Sequence, residues 1–315
     1  MAIKKCLIPV KLMRLETLSN YLLVAAACMF LSPTTVTTTQ QRAAISGVAT
    51  DKPALHITSI QSLKEIPEQP AGTIYFFDID DTLIDHPHML GSKGWRSYFS
   101  KAIDPNKKPH SNHDKITLDL AKKQPVMTVE TDTALWLQQV QAQGHATYGL
   151  TARERNIWYY TPCAGVDQLT TQQLASVGIL FDQDLPSDMH SITQAPEYFR
   201  GTFFSDLDSK GEYLIKLFQA SPQKPLKVIF VDDKQDHAEG VAQALAYLGV
   251  DYECYWYRAT ENKASKFDPL IANVQLYYVL KFDQILSDDE ARLIAEQTPE
   301  NNYLQEVKAL LHLSL

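Results

Sequence analysis

The sequence predicts an α/β protein built on a parallel sheet, and three observations carry that expectation. Four short runs rich in β-branched and aromatic residues, at 73–79, 145–150, 227–232 and 252–257, read as buried strands. Segments with helical spacing separate them, at 131–143, 209–219 and 236–248, and such alternation argues crossover connections between parallel strands. Two of the runs end in acids, Asp78-Ile79-Asp80-Asp81 and Asp232-Asp233, at the strand ends where open α/β sheets bind ligands.

Residues 1–45 differ in character from the rest of the chain. Lys4, Lys5, Lys11 and Arg14 precede an uncharged apolar run, Tyr21 to Leu31, of 11 residues. A bilayer span needs roughly 20 residues, so the segment is too short for a stable transmembrane helix and suits a secretory leader instead. The expected setting is therefore exported, periplasmic or secreted. The alternative is a cytoplasmic or membrane-associated protein whose N-terminal segment packs as a helix. Without this segment, which holds five basic residues and one acid, the body carries 24 basic against 36 acidic residues, a net of −12. So acidic a surface repels polyanions, which excludes nucleic-acid binding. Hydrophobic residues at 45% and charged residues at 21% are ordinary for a globular domain, here residues 46–315. Cys163 and Cys254 lie in this body, and their spacing shows no metal-type pairing.

Along the body, Thr73 to Phe77 forms the first strand, and side chains two apart on an extended chain share a side. Asp78 and Asp80 are thus expected to converge, which is costly unless a cation or shared proton compensates. Residues 84–128 are polar and turn-rich and read as an insertion, with His110 and His113 more simply solvated than metal-binding. The helix at 131–143 should bury Leu135, Trp136 and Val140, with Gly144 as its stop. His145 to Leu150 is the next strand, followed by Thr151 and Arg153. Residues 152–200, rich in Gln, Pro and Ser, read as a second insertion, in which 158–160 are aromatic.

Ser209 and Glu212 make a capping box that places Lys210 in the first turn of a helix, a favourable setting for an anion. Leu214, Leu217 and Phe218 should face inward there. After the strand Val228 to Asp232, a helix should bury Val241, Leu245 and Leu248 and close at Gly249. Asp236 reads equally as its N-cap or as a further site acid. Residues 262–315 are expected to form helices near 269–284, 287–297 and 301–313, the middle one opened by a capping box from Ser287 to Glu290.

Asp78-Ile79-Asp80-Asp81-Thr82, Thr151, Lys210 and Asp232-Asp233, in that order, resemble the catalytic motifs of the haloacid dehalogenase superfamily over residues 73–257. Its members are mostly Mg²⁺-dependent phosphohydrolases, and with the leader the chain looks similar to secreted bacterial acid phosphatases of that superfamily. The resemblance implies a three-layer Rossmann-like core with small caps at 84–128 and 152–200. It implies Asp78 as nucleophile, Asp80 as acid and base, and Lys210 as charge stabiliser. Thr151, and Arg153 as a second ligand, would hold the phosphoryl group of a phosphorylated small molecule or phosphoprotein. Mg²⁺ would bind Asp78, the Asp80 carbonyl and Asp232, with Asp233 as the alternative because Asp-Asp replaces the family's usual Gly-Asp. A phosphotransferase, or a catalytically silent binding protein on the same fold, are the competing expectations.

Overall fold

Tight packing of apolar strands against helices on both faces positions the site. The computed structural model describes residues 55–105, 112–155, 157–158, 161–182, 197–205, 209–221 and 223–312. The leader expected at 1–45, His110, the His113 side chain and the side chains of 158–160 lie outside the described residues.

The chain begins with β1 (Ile57–Ile60), β2 (Ile74–Phe77) and β3 (Ile84–Asp85). Next come α1 (Lys93–Tyr98), which continues into a π-helical turn at Phe99–Ile103, α2 (Asn112–Lys123), β4 (Met127–Thr128) and α3 (Thr133–Ala142). Strand β5 (Ala146–Thr151) leads to a small hairpin, β6 (Ile157–Trp158) and β7 (Thr161–Pro162), and then α4 (Val166–Ser176). After β8 (Tyr198–Phe199) and β9 (Thr202–Phe204) the chain alternates α5 (Lys210–Ala220), β10 (Lys227–Asp232), α6 (Gln235–Leu248) and β11 (Asp251–Tyr257). Four helices close it: α7 (Glu261–Ser265), α8 (Pro269–Phe282), α9 (Asp288–Gln297) and α10 (Tyr303–Leu310).

Seven strands form one sheet in the order β1-β11-β10-β2-β5-β9-β8, parallel throughout except for the β8–β9 edge pair. The fold is therefore α/β and Rossmann-like. From β2 the chain builds outward through β5 to β9, then crosses back to lay β10 on the other side of β2. The direction of winding reverses between β2 and β10, and the crevice at such a reversal is the ligand site of open α/β sheets.

Side chains alternate across the sheet as the strand period requires. Ile74 and Phe76 pack with Leu214, Phe218, Val241 and Leu245 of α5 and α6. Tyr75 and Phe77 pack on the opposite face with Leu137, Val140 and Leu174 of α3 and α4. Leu217 and Leu248 are also buried, as expected, and Gly249 closes α6 in the left-handed conformation. Leu135 corrects the expectation for α3: it is 57% exposed, and Leu137 takes the inward place.

The described part of the insertion at 84–128 buries more apolar surface than its polar composition suggests. Leu90, Trp95, Phe99, Ile116 and Leu120 form one apolar cluster with Ala272, Leu276, Val307 and Leu311. The insertion and the C-terminal helices α8 and α10 thus share one apolar cluster. The Leu90 N–H donates to Gln275 Oε1 at 2.9 Å and the Met89 N–H to Asp288 Oδ1 at 2.8 Å, which fixes the loop before α1. Gly94 lies so close to Phe267 that an added Cβ would sit 2.6 Å from its Cβ. In the stretch 152–200, α4 is the crossover helix between β5 and β9.

Candidate functional site

β2 ends at Phe77, and the Asp78 N–H still donates to Val231 O at 2.9 Å, so Asp78 sits where β2 and β10 part. The chain then folds back tightly. Leu83 and Ile84 donate to Ile79 O, both at 3.0 Å, and Asp81 adopts a left-handed φ of 64°, a conformation Asp tolerates better than most residues. This turn separates the two acids that an extended chain would have brought together. Asp78 points inward and is buried, whereas Asp80 keeps 42% of its side chain exposed.

Lys210 arrives from the first turn of α5, whose capping box between Ser209 and Glu212 is formed. Gly211 lets α5 lie against α6, since an added Cβ would meet Gly240 O at 2.4 Å. The Lys210 side chain is 1% exposed, and its ammonium donates to Asp78 Oδ1 and, at 2.6 Å, to Asp232 Oδ2. Thr82 donates to Asp78 Oδ2 at 3.2 Å and accepts from the Asp233 N–H at 3.0 Å, tying the two strand ends together. Asp232 Oδ1 accepts the Lys234 N–H at 2.9 Å, and His237 Nδ1 lies 3.1 Å from Asp232 Oδ2. Asp233 accepts from Lys93 Nζ at 2.7 Å. Asp236 is exposed on α6 and is neither cap nor site residue; Lys234 holds the N-cap position.

Carboxylate oxygens of Asp78, Asp232 and Asp233 all lie within 4.8 Å of one another. Asp80 is not in that cluster. Arg153 grips both of its oxygens, Nε to Oδ2 at 2.8 Å and Nη2 to Oδ1 at 2.7 Å. Arg153, expected beside Thr151 as a second phosphoryl ligand, pairs with Asp80 in the structure. Thr151 is buried at the end of β5, its hydroxyl accepting the Arg153 N–H at 3.1 Å.

A charge count explains the electrostatics. Asp80 pairs with Arg153, Asp81 with Arg96 and Asp233 with Lys93, while Asp78 and Asp232 share Lys210. These five carboxylates meet four lysine and arginine cations, with His237 beside Asp232, so Asp78 and Asp232 crowd onto one ammonium. Burial, with the charges of Asp232, Asp233 and Asp80, pushes Asp78 up to about 7 despite Lys210. Burial opposes ionisation of Asp232 as well, but Lys210 and His237 outweigh it and hold that carboxyl below its usual range. For Asp80, Arg153 likewise overcomes burial and keeps the group ionised.

Crowded hard oxygen donors fit Mg²⁺, which binds through one or two carboxylates and keeps several waters. Their spacing and crowding make Asp78, Asp232 and Asp233 the residues that could hold it. Cys163 and Cys254 are free thiols, the latter sealed in the core, and neither is near this chemistry in sequence. Lys93, Arg96 and His237 join the site without having announced themselves in the sequence. Each comes from a helix whose approach is fixed by tertiary packing.

With this geometry in view, comparison with known proteins adds a family. Residues 56–292 match the model of a family described as "Protein of unknown function (DUF2608)". The chain belongs to the DUF2608 family. Among curated relatives, this DUF2608 chain is 23% identical over 255 residues to a Chlamydia trachomatis protein named "Putative outer membrane protein", covering 76% of the chain and 90% of the relative. A Chlamydia pneumoniae relative of similar name is 22% identical over 221 residues, covering 69% and 80%. A Chlamydia muridarum relative is 23% identical over 251 residues, covering 75% and 90%. No solved structure matches the chain. Among the described residues, no helix is long and apolar enough to cross a membrane.

Proposed function

We propose that this DUF2608 protein is a Mg²⁺-dependent phosphomonoester hydrolase of the haloacid dehalogenase kind, acting through an aspartyl phosphate on Asp78. One observation carries the reading: Asp78, Asp232 and Asp233 meet at the winding reversal of the sheet, where Asp78 and Asp232 share a single buried lysine. A purely structural cluster gains nothing from crowding buried carboxylates, which costs stability unless it is compensated.

In this mechanism an Asp78 oxygen attacks phosphorus in line, and the bond to the leaving alkoxide breaks with its electron pair. The proton carried by a monoanionic phosphomonoester passes through Asp80 to that oxygen. As a carboxylate, the form Arg153 favours, Asp80 then takes a proton from the water that attacks phosphorus and releases Asp78. Lys210, fixed between Asp78 and Asp232, stabilises negative charge on the transferring group. Thr151 offers its hydroxyl to a phosphoryl oxygen from the neighbouring strand end. Mg²⁺, held by Asp78, Asp232, Asp233 and the Asp80 carbonyl, would supply the remaining positive charge for the phosphoryl oxygens. The substrate class is a phosphorylated small molecule or a phosphoprotein.

The test is phosphate release from a panel of phosphomonoesters, including nucleotides and phosphotyrosine peptides, with Mg²⁺ and with EDTA. Metal-dependent release that disappears in Asp78→Asn supports the reading, and its persistence without added alcohol separates hydrolysis from transfer. No release from any member sinks it. The basic leader and the names of the chlamydial relatives support an exported, periplasmic or secreted setting. Fractionation that finds only unprocessed protein in the cytosol would overturn that.

A further inference from the structure

We propose that Arg153 is the positioning residue for Asp80, clamped for that task by helix α4, and does not bind the substrate's phosphoryl group. The inference rests on the phosphatase reading and assigns the roles of the second insertion within it.

A guanidinium carries five N–H donors in a fixed plane. Here the Nε and Nη2 edge is spent on the two oxygens of Asp80, at 2.8 and 2.7 Å. Nη1 donates to Thr170 Oγ1 and to Gln173 Oε1, both at 2.8 Å. These partners are themselves fixed. The Thr170 hydroxyl donates to Val166 O at 2.7 Å, and Gln173 Nε2 donates to Ala121 O of α2 at 2.9 Å. One hydrogen-bonded line therefore runs from Asp80 through Arg153 and α4 to the first insertion. Turning the guanidinium plane toward a phosphoryl oxygen would break its two-point grip on Asp80 or leave the buried Thr170 and Gln173 acceptors unpaired, which is costly.

The character of α4 points the same way. A crossover helix ordinarily buries an apolar stripe, but beside Val166 and Leu174 α4 also buries Asp167, Thr170 and Gln173, with exposures of 7%, 0% and 6%. Buried polar groups need partners, and arginines are the partners here: Asp167 accepts from Arg155 Nε at 2.9 Å and from its Nη2 at 2.6 Å. An apolar face would pack the sheet as well. A polar one is explained by the need to hold two arginines, one of which orients the partly exposed acid. Proton transfer demands heavy-atom approach within hydrogen-bond reach, and small misplacements cost rate steeply. A grip on both oxygens meets that demand without touching substrate.

The test compares wild type with Arg153→Lys, Gln173→Leu and Thr170→Val, using a hydrolysed phosphomonoester and inorganic phosphate as competitive inhibitor. Lysine keeps the charge but cannot bridge Asp80, Thr170 and Gln173 in one plane. The expected result for Arg153→Lys is a kcat lower by about tenfold or more, with KM and the phosphate inhibition constant within about twofold of wild type. Gln173→Leu and Thr170→Val should lower kcat in the same sense by less. They also carry the test if Arg153→Lys fails to fold, which thermal unfolding reports. A rise in KM and in the phosphate inhibition constant with kcat preserved would make Arg153 a phosphoryl ligand and overturn the proposal alone. A rise in kcat would make the clamp a brake and overturn it too. Wild type without turnover on any substrate would remove the phosphatase reading and this inference together.

Discussion

The two halves of the site solve the problem of crowded acids in different ways. In the inner half, Asp78 and Asp232 share the single ammonium of Lys210 in nearly complete burial. In the outer half, the Arg153 guanidinium grips both oxygens of Asp80, which stays partly exposed. The inner half is built by the paired strands β2 and β10 with helix α5, the outer by the loop after β5 and the crossover helix α4. The contrast shows where chemistry is stored: the unbalanced pair is poised to take a cation or form a bond, while the balanced pair is held ready to move a proton.

Breaking the inner half should have the largest effect. Asp78→Asn is expected to lower phosphate release on the order of a thousandfold or more, since no covalent intermediate can form. If full activity survives, the nucleophile lies elsewhere. Lys210→Met should come next, with a loss of about a hundredfold to a thousandfold in kcat and a lower Tm, because two buried carboxylates lose their shared partner. Asp80→Asn tests the outer half and should lower kcat by about a hundredfold or more while the fold is kept. Equal Tm losses for Asp80→Asn and Lys210→Met would erase the contrast between the halves.

Smaller effects sharpen it. Mg²⁺ should raise the Tm of wild type by mass action, and Asp232→Asn should abolish that rise, whereas Gln173→Leu should not. A Mg²⁺ shift retained in Asp232→Asn would move the metal away from the inner half. The pH dependence has a definite sign. Asp78 keeps a proton up to about 7 when folded and gives it up earlier when unfolded, so its contribution to stability falls as pH rises through that window. His86, pushed down to about 4 by burial and Arg96, works in the opposite direction over part of the range. The difference in Tm between wild type and Asp78→Asn isolates the former. In EDTA it should move against wild type by a few degrees between about pH 5 and about pH 7.5. A constant difference would show that Asp78 does not hold its proton.

Much of the inner half was legible in the sequence. The strands that deliver Asp78 and Asp232 are apolar on both faces, and the capping box that starts α5 fixes Lys210. Those signals are local. The outer half was not legible in its actual form, because α4 hides its function behind polarity: Asp167, Thr170 and Gln173 look like a solvated face until Arg153 and Arg155 fill it. Strands β8 and β9 are only 2 and 3 residues long, too short for a periodic signal. Lys93 and Arg96 belong to a helix whose wall comes from residues far along the chain, so no window around them carries the information. Leu135 failed for a simpler reason: a helix face chosen from three apolar residues is easily rotated by one position.

That distant wall has a consequence for the order in which the molecule is completed. The sheet, with Asp78, Lys210 and Asp232 in place, needs nothing beyond Tyr257. Helix α1, which brings Lys93 to Asp233 and Arg96 to Asp81, is walled by Ala272, Leu276, Val307 and Leu311. Since a chain emerges N-terminal end first, whether from the ribosome or across the membrane of an exported protein, the sheet can close while α1 still waits for its neighbours. A chain stopped before α8 is expected to bury its central lysine yet leave Asp81 and Asp233 without their cations. Emergence would then act as a timer, with the last helices to appear finishing the site.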